Sequence, residues 1–319
     1  MSDPVRLGVL LPTGRAQWGD GADARELIAF ALRAERLGYD SLFVNDSLLT
    51  PRIEALTMLA ALASVTERAT LGTGALLPFL RRPVQTAQAL ASIDLLSDGR
   101  LAVAVGAGFP GRFGQPLYRW SEVPWERRFT RLDETVALWR QLWAATGPTS
   151  FHGEVLRFDD IPPSTPPFRR GGPPIWLGGA TPAALVRTGR LYDGWLPYPP
   201  DPADYRAGLE AIRTAATESG RSADALTPAL FVSVLVADSV DAGRRTLDDY
   251  ATANYRLPLV ELERIQAVVT GPPDRVVARL NRYTAAGARH LIARIGALDW
   301  RSQLDQLDRI AQIAPSLHP

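Results

Sequence analysis

Neither cysteine nor lysine occurs anywhere in the 319 residues. Without thiols there is no disulfide, no thiolate nucleophile and no cysteine-ligated metal. Without lysine no Schiff base can form, which removes lysine-dependent aldolase and pyridoxal-phosphate chemistry. Histidine is scarce: His152, His290 and His318 stand far apart, with no H-x-H or H-E-x-x-H spacing. A histidine-rich metallohydrolase is therefore not expected, nor is any metal. No apolar run approaches the roughly 20 residues of a membrane span. The opening MSDPVRLGVLLPTG has too short an apolar run for a secretory h-region and no cleavage pattern. A cytoplasmic location is the expectation. A dominant charge is missing too: 35 basic residues, all arginine, face 34 acidic ones. Such a balance gives no footprint for nucleic acid or a membrane and leaves a small molecule as the expected partner.

What is present is rhythm. Short apolar, β-branched runs alternate with longer stretches of helical spacing. Strands are expected at 5–11, 41–45, 70–77, 101–106, 175–177, 194–196, 229–236 and 290–295. Helices are expected at 24–37, 54–65, 83–96, 125–145, 182–191, 202–219, 240–269 (interrupted at Pro258), 273–286 and 299–313. The Pro- and Gly-rich stretch 147–174 breaks the rhythm with two short β-like pieces, near 150–152 and 155–158, and reads as an excursion over one end of the fold. Eight strands, most followed by a helix, imply a parallel sheet. At this length a closed α/β (β/α)8 TIM barrel, with insertion loops at its C-terminal face, is favoured over an open sheet. The whole chain, 1–319, reads as one such domain. No G-x-G-x-x-G follows the first strand.

Sites on such barrels lie at the C-terminal strand ends. Those ends are poor in titratable groups and rich in glycine. Asp46 is the one strong carboxylate, with Asp238 a weaker second, so the paired carboxylates of a glycosidase are missing. Glycines at strand ends suit a flat ring lying against backbone, with a cofactor carrying the chemistry. The plain alternative is that they only make tight turns. In residues 173–185, PPIWLGGATPAAL, Thr181 can cap a helix that opens with Pro182. The backbone N–H groups of Gly179, Ala180 and Thr181 would then face an anion. A capped helix and nothing more is the alternative.

Four stretches carry a resemblance: AERLGYDSLFVNDSLL (34–49), ERATLGTGALLPFLRRPVQTAQALASIDLLSDGRLAVAVGAG (67–108), PPIWLGGATPAALVRTGRLYDGWLP (173–197) and GPPDRVVARLNRYTAAGARHLIARIG (271–296). The chain resembles the luciferase-like flavin-dependent oxidoreductases, the family of bacterial luciferase, alkanesulfonate monooxygenase and coenzyme F420-dependent dehydrogenases. The resemblance implies a barrel, usually dimeric, holding FMN or F420 with its ring over the strand ends. It makes Gly178, Gly179 and Thr181 the phosphate turn, and Asp46 with Thr73-Gly74-Ala75 the ring neighbours. In some relatives a non-proline cis peptide occurs at that turn. Gly106 to Gly108 should line the ring edge. Pro12, Trp176 and Ala180 complete the expected cofactor contacts, with Asp46 as the catalytic candidate. The chain also departs from the pattern. Many members carry histidine just after the second strand, where Ser47 stands here. F420-dependent sugar dehydrogenases use it with a glutamate after the fourth strand, where this chain has Gly108-Phe109-Pro110-Gly111.

Three functions are compatible with this inventory, and the first is the one favoured. The first is a monooxygenase using oxygen and reduced FMN from a separate reductase, with Asp46 orienting the ring or relaying a proton. Phe109, Tyr118, Trp120 and Trp125 would form the substrate wall, although ordinary aromatic packing would explain them equally. The second is an F420-dependent reductase or dehydrogenase, whose acidic cofactor tail could use Arg15, Arg52, Arg81, Arg82, Arg112, Arg169 and Arg170. The third is a flavin-binding barrel without catalysis.

Overall fold

Short runs such as LAVAV (Leu101–Val105) can bury both faces only inside a sheet covered on each side, and the chain uses them that way. The computed structural model describes residues 4–18 and 23–319. In chain order the strands are β1 Arg6–Leu10, β2 Ser41–Val44, β3 Thr70–Leu76, β4 Leu101–Val105, β5 Thr149–His152, β6 Arg157–Ile161, β7 Ile175–Leu177, β8 Gly194–Trp195, β9 Thr227–Val236, β10 Val268–Gly271 and β11 His290–Ile295. Eight of them pair in parallel in the order β1-β2-β3-β4-β7-β8-β9-β11, and β11 closes on β1. This is the expected (β/α)8 barrel.

Strand alternation separates two cores. Val9, Val44, Val103, Ile175 and Leu291 point outward into the shell of helices. Leu10, Phe43, Ala102, Ala104, Trp176, Leu196, Ala229 and Ile292 point inward and fill the barrel axis. Low in that axis, Ser41 Oγ and a ring nitrogen of His290 lie 2.7 Å apart. Glycine is forced there by packing. A Cβ on Gly8 would meet Ser41 Oγ at 2.0 Å, and one on Gly72 would meet the Phe43 ring at 2.5 Å. The helices follow their sequence signals. Pro83–Leu96, Pro182–Leu191, Pro202–Glu218 and Pro273–Ala285 open on proline, whose missing N–H costs nothing in the first turn. Thr181, Asp201, Ser239 and Asp299 cap helices through their side chains.

Two segments differ from expectation. The stretch expected as one broken helix over 240–269 contains helices Val240–Tyr255 and Leu259–Leu262, and then strand β10, which pairs with Ser233–Val236 of β9. Its apolar run is too short for periodicity to distinguish strand from helix end. The loop after β4 contains a helix, Gln115–Trp120, before the long helix Arg128–Ala144. The 147–174 excursion folds as the antiparallel hairpin β5–β6. Its tip is held by Glu134, which accepts from the N–H groups of Glu154, Val155 and Leu156. Among the described residues no helix is long and apolar enough to cross a membrane.

Candidate active site

The inward face of each strand ends in one last residue at the C-terminal mouth. Going round β3, β4 and β7, glycine stands at Gly74, Gly106 and Gly178, so this part of the mouth carries no side chain larger than the methyl of Ala75 beside them. None of the three has a positive φ. Packing does not demand glycine either. A Cβ on Gly106 would find nothing nearer than 3.9 Å, one on Gly178 would be 3.6 Å from the nearest atom, and one on Gly74 would be 3.5 Å from Leu10. These are ordinary contacts, unlike the clashes at Gly8 and Gly72. The protein keeps this wall bare without needing to for its own packing, which is what a flat ligand lying on backbone requires. Leu10, Phe43, Trp176 and Leu196 form the floor beneath. A cis peptide joins Gly74 to Ala75, at the turn where the resemblance anticipated one.

At one end of this arc lies the Gly-Gly turn. Gly179 adopts φ +111°, open to glycine alone, and Thr181 caps the helix by accepting from Ala184 N–H at 3.3 Å. The Trp195 indole donates to the Gly179 carbonyl at 2.8 Å. Because a trans peptide points its C=O and N–H in opposite directions, this bond turns the Ala180 N–H away from the core. The N–H groups of Gly179, Ala180 and Thr181 have no acceptor among the described residues. They stand at the positive end of a 10-residue helix, the arrangement that binds phosphate.

Asp46 lies opposite, after β2, with its side chain 5% exposed. Both oxygens are engaged. Arg81 donates to them in a two-pronged pair at 2.7 and 3.0 Å, and Leu77 N–H adds a third bond at 3.0 Å. Burial alone would lower Arg81, but the bonds and charge of Asp46, then of Glu54, hold it above the ordinary guanidinium value. Asp46 thereby ties the end of β2 to the turn after β3.

The other expected residues fall in several places. Pro12 lies at the end of β1 with its carbonyl bonded by the Trp18 indole. Thr73 points outward and donates to the Ala104 carbonyl at 2.7 Å. Trp176 is 2% exposed and lies against Phe43, one layer below the glycines, with Nε1 lacking a partner. Gly108, at φ +74°, continues the loop after β4. Tyr118 stacks on Phe79 at 3.7 Å, meets Trp125 edge-on at 5.0 Å and donates to the Ala107 carbonyl at 2.9 Å. Tyr118 and Trp125 therefore brace the glycine loop together. Phe109, half-exposed, tilts against Tyr198 at 5.9 Å, and burial pushes Tyr198 up to about 12. Trp120 is exposed and outside both groups.

No histidine reaches the mouth. His152 sits on the hairpin with Asp159, His318 is beside Asn281, and His290 is low in the barrel. Ser47 follows β2, and Gly108-Phe109-Pro110-Gly111 follows β4, with neither a histidine nor a glutamate among them. Sequence reasoning missed Arg294, Ser233 and Tyr250 on the far wall. The one signal was a charged residue at an inward position of the apolar run HLIARI.

A closed parallel barrel with an open backbone wall and a capped Gly-Gly turn at its C-terminal mouth defines a (β/α)8 protein. The model of the luciferase-like monooxygenase family matches residues 5–267, and the chain belongs to that oxidoreductase family. It is 28% identical over 320 residues to an F420-dependent glucose-6-phosphate dehydrogenase of Microbacterium testaceum, covering 92% of each chain. Its fold matches an F420-dependent secondary alcohol dehydrogenase with a TM-score of 0.82 at 20% identity, over 99% of this chain and 100% of the other. It also matches a monooxygenase of Streptomyces bottropensis with a TM-score of 0.79 at 22% identity, over 96% and 98% of the two chains.

Proposed function

We propose that this protein is an F420-dependent oxidoreductase acting on a small organic molecule. The observation that carries the cofactor site is the bare wall of Gly74, Gly106 and Gly178, which neither φ nor packing explains. The similarity to an F420-dependent enzyme along 92% of both chains supports F420 over FMN. Bound there, the deazaflavin supplies a two-electron hydride carrier.

The chain's own residues do the rest. Gly74, Ala75, Gly106 and Gly108 bear the ring on backbone, over the floor of Trp176, Leu10 and Leu196. The amides of Gly179, Ala180 and Thr181 take the phosphate, and Trp195 keeps the Ala180 N–H aimed outward. Asp46 is a positioning residue: through Arg81 and Leu77 N–H it fixes the β3 turn that carries Gly74 and Ala75. Pro12 and Thr73 set the ends of β1 and β3. Phe109 and Tyr198 border the substrate side, and Tyr118 and Trp125 hold the glycine loop in place. The sugar-dehydrogenase pairing of histidine and glutamate is not part of this proposal, since Ser47 follows β2 and the stretch Gly108-Phe109-Pro110-Gly111 follows β4.

One observation favours a second reading: among the described residues the mouth shows no histidine–carboxylate pair, which suits an oxygen-using enzyme fed reduced FMN by a separate reductase. Equilibrium titration with F420 and separately with FMN, followed by absorbance, separates the two. The first reading predicts saturable F420 binding at least tenfold tighter than FMN. The reverse order would replace it with the second, and binding of neither would refute both.

A further inference from the structure

The wall facing the bare arc is built differently. In the ring of eight strands β11 stands diametrically across from β4. The inward face of β11 runs His290, Ile292, Arg294, and that of β9 runs Ala229, Phe231, Ser233. The lower members fill the barrel axis. The upper two, Arg294 and Ser233, are level partners in the ladder and reach the mouth. Arg52 comes to the same quadrant from the segment after β2, which is pinned to the end of β1 by a bridge from Gly14 to Arg52 and by Ile53 N–H on the Thr13 carbonyl at 3.2 Å.

Arg52 Nη2 donates to Thr50 Oγ1 at 2.7 Å, but the inner polar atoms of these groups lack partners. Arg294 Nε, Arg52 Nε and Nη1, and the Oγ of Ser233 (2% exposed) are shut from solvent without a hydrogen bond. Neither arginine forms an ion pair among the described residues, whereas Arg81, on the neighbouring wall, holds two carboxylates. Arg294 lies over the rings of Tyr255 and Tyr250, at 4.8 and 5.2 Å, which fixes its plane without neutralising it. Burial, and then the charge of Arg294, lowers Arg52 to about 10. Two half-buried guanidiniums whose inner atoms have no hydrogen bond, and which form no ion pair among the described residues, offer what a planar oxyanion binds.

We propose that Arg52 and Arg294, with Ser233, form an oxyanion subsite for the substrate, so that the molecule turned over carries a carboxylate, sulfonate or phosphate remote from its reacting carbon. The inference rests on the reading of the mouth as the active site and adds the substrate's chemical class. The cofactor also carries acidic groups, but its phosphate turn lies at β7, and the arginines lie across the mouth from the ring wall.

The test uses the purified full-length protein, with sulfate as probe and chloride at matched ionic strength as control. Wild type should gain thermal stability saturably at millimolar sulfate, as binding to the folded state alone requires. Arg294→Met and Arg52→Met should each weaken the sulfate response at least tenfold while leaving the F420 dissociation constant within twofold. Should either fail to fold, Arg294→Lys keeps the charge, loses the fork and should weaken sulfate several-fold. No sulfate response in wild type, or an equal one in the variants, overturns the proposal. F420 affinity falling in step with the sulfate response overturns it too, by giving the arginines to the cofactor. A sulfate response that obeys these rules in a protein that binds no F420 keeps the subsite and refutes the cofactor reading instead.

Discussion

Replacing Gly178 by alanine and Gly72 by alanine should have opposite consequences, although both glycines face the barrel interior. At Gly178 the new Cβ would lie 3.6 Å from the Val105 carbonyl oxygen and 3.8 Å from that of Leu196, so the folded protein accommodates it. The φ there is not positive, and alanine reduces the freedom of the unfolded chain, which stabilises by about 0.4–1 kcal/mol. At about 3 °C per kcal/mol, the melting temperature without cofactor should rise roughly 1–3 °C. At Gly72 the Cβ would come within 2.5 Å of Phe43, a ring held between its neighbours in the barrel axis. Overpacking of this kind costs about 1–3 kcal/mol, hence a fall of roughly 3–9 °C. Cofactor affinity should separate the pair the other way. A methyl on the wall that bears the ring should weaken F420 at least tenfold, about 1.4 kcal/mol, whereas the folded Gly72→Ala protein should bind nearly as wild type. Scanning calorimetry and a fluorescence titration read both quantities. Wild-type affinity in Gly178→Ala, with Gly106→Ala behaving alike, would refute the argument that these positions are bare for a ligand.

Other consequences follow from particular contacts. His290 is pushed down to about 3 by burial and then by the charge of Arg6, against an ordinary value of 6.5. The unfolded chain therefore binds this proton first, so its contribution to stability is complete above about pH 6.5 and is lost as pH falls toward 3. Between pH 6.5 and 4.5 the loss is about 2 kcal/mol, and His290→Gln should flatten that part of a denaturation-versus-pH curve. Asp46→Ala leaves Arg81 with Glu54 alone and Leu77 N–H without an acceptor, and should cost about 3–5 kcal/mol in urea unfolding. An unchanged midpoint would show the pair to be idle. Trp195→Phe removes the bond that orients the Gly179 peptide and should weaken phosphate-bearing F420 several-fold more than its dephosphorylated form. Equal losses would remove the turn from phosphate binding.

How far the sequence carried depended on the range of the forces involved. The strands from β1 to β4 and the Pro-opened helices are written in local patterns, and they came out within a few residues. β10 did not, because four residues after a broken helix offer no period to read. The glycine arc was visible as composition at strand ends, but whether it served turns or a ligand depended on the space around each Cβ, which only the packed barrel decides. The pairing of Asp46 with Arg81 joins residues 35 apart and left no mark on the pattern of either. Trp176 stood next to the Gly-Gly turn in the chain, yet strand alternation places its ring one layer lower, in the barrel axis. Arg294 and Ser233 become a pair only through the β9–β11 register.

The proposed function requires a deazaflavin on the glycine arc with its phosphate on the Gly179–Thr181 amides. A crystal structure of the protein soaked with F420 tests it most directly. Ring atoms should then contact Gly74, Ala75, Gly106 and Gly178, the phosphate should lie within about 3.2 Å of at least two of the three N–H groups, and Arg52 and Arg294 should still face the open side of the ring. Density for the phosphate on Arg52 and Arg294, with the turn empty, would contradict it.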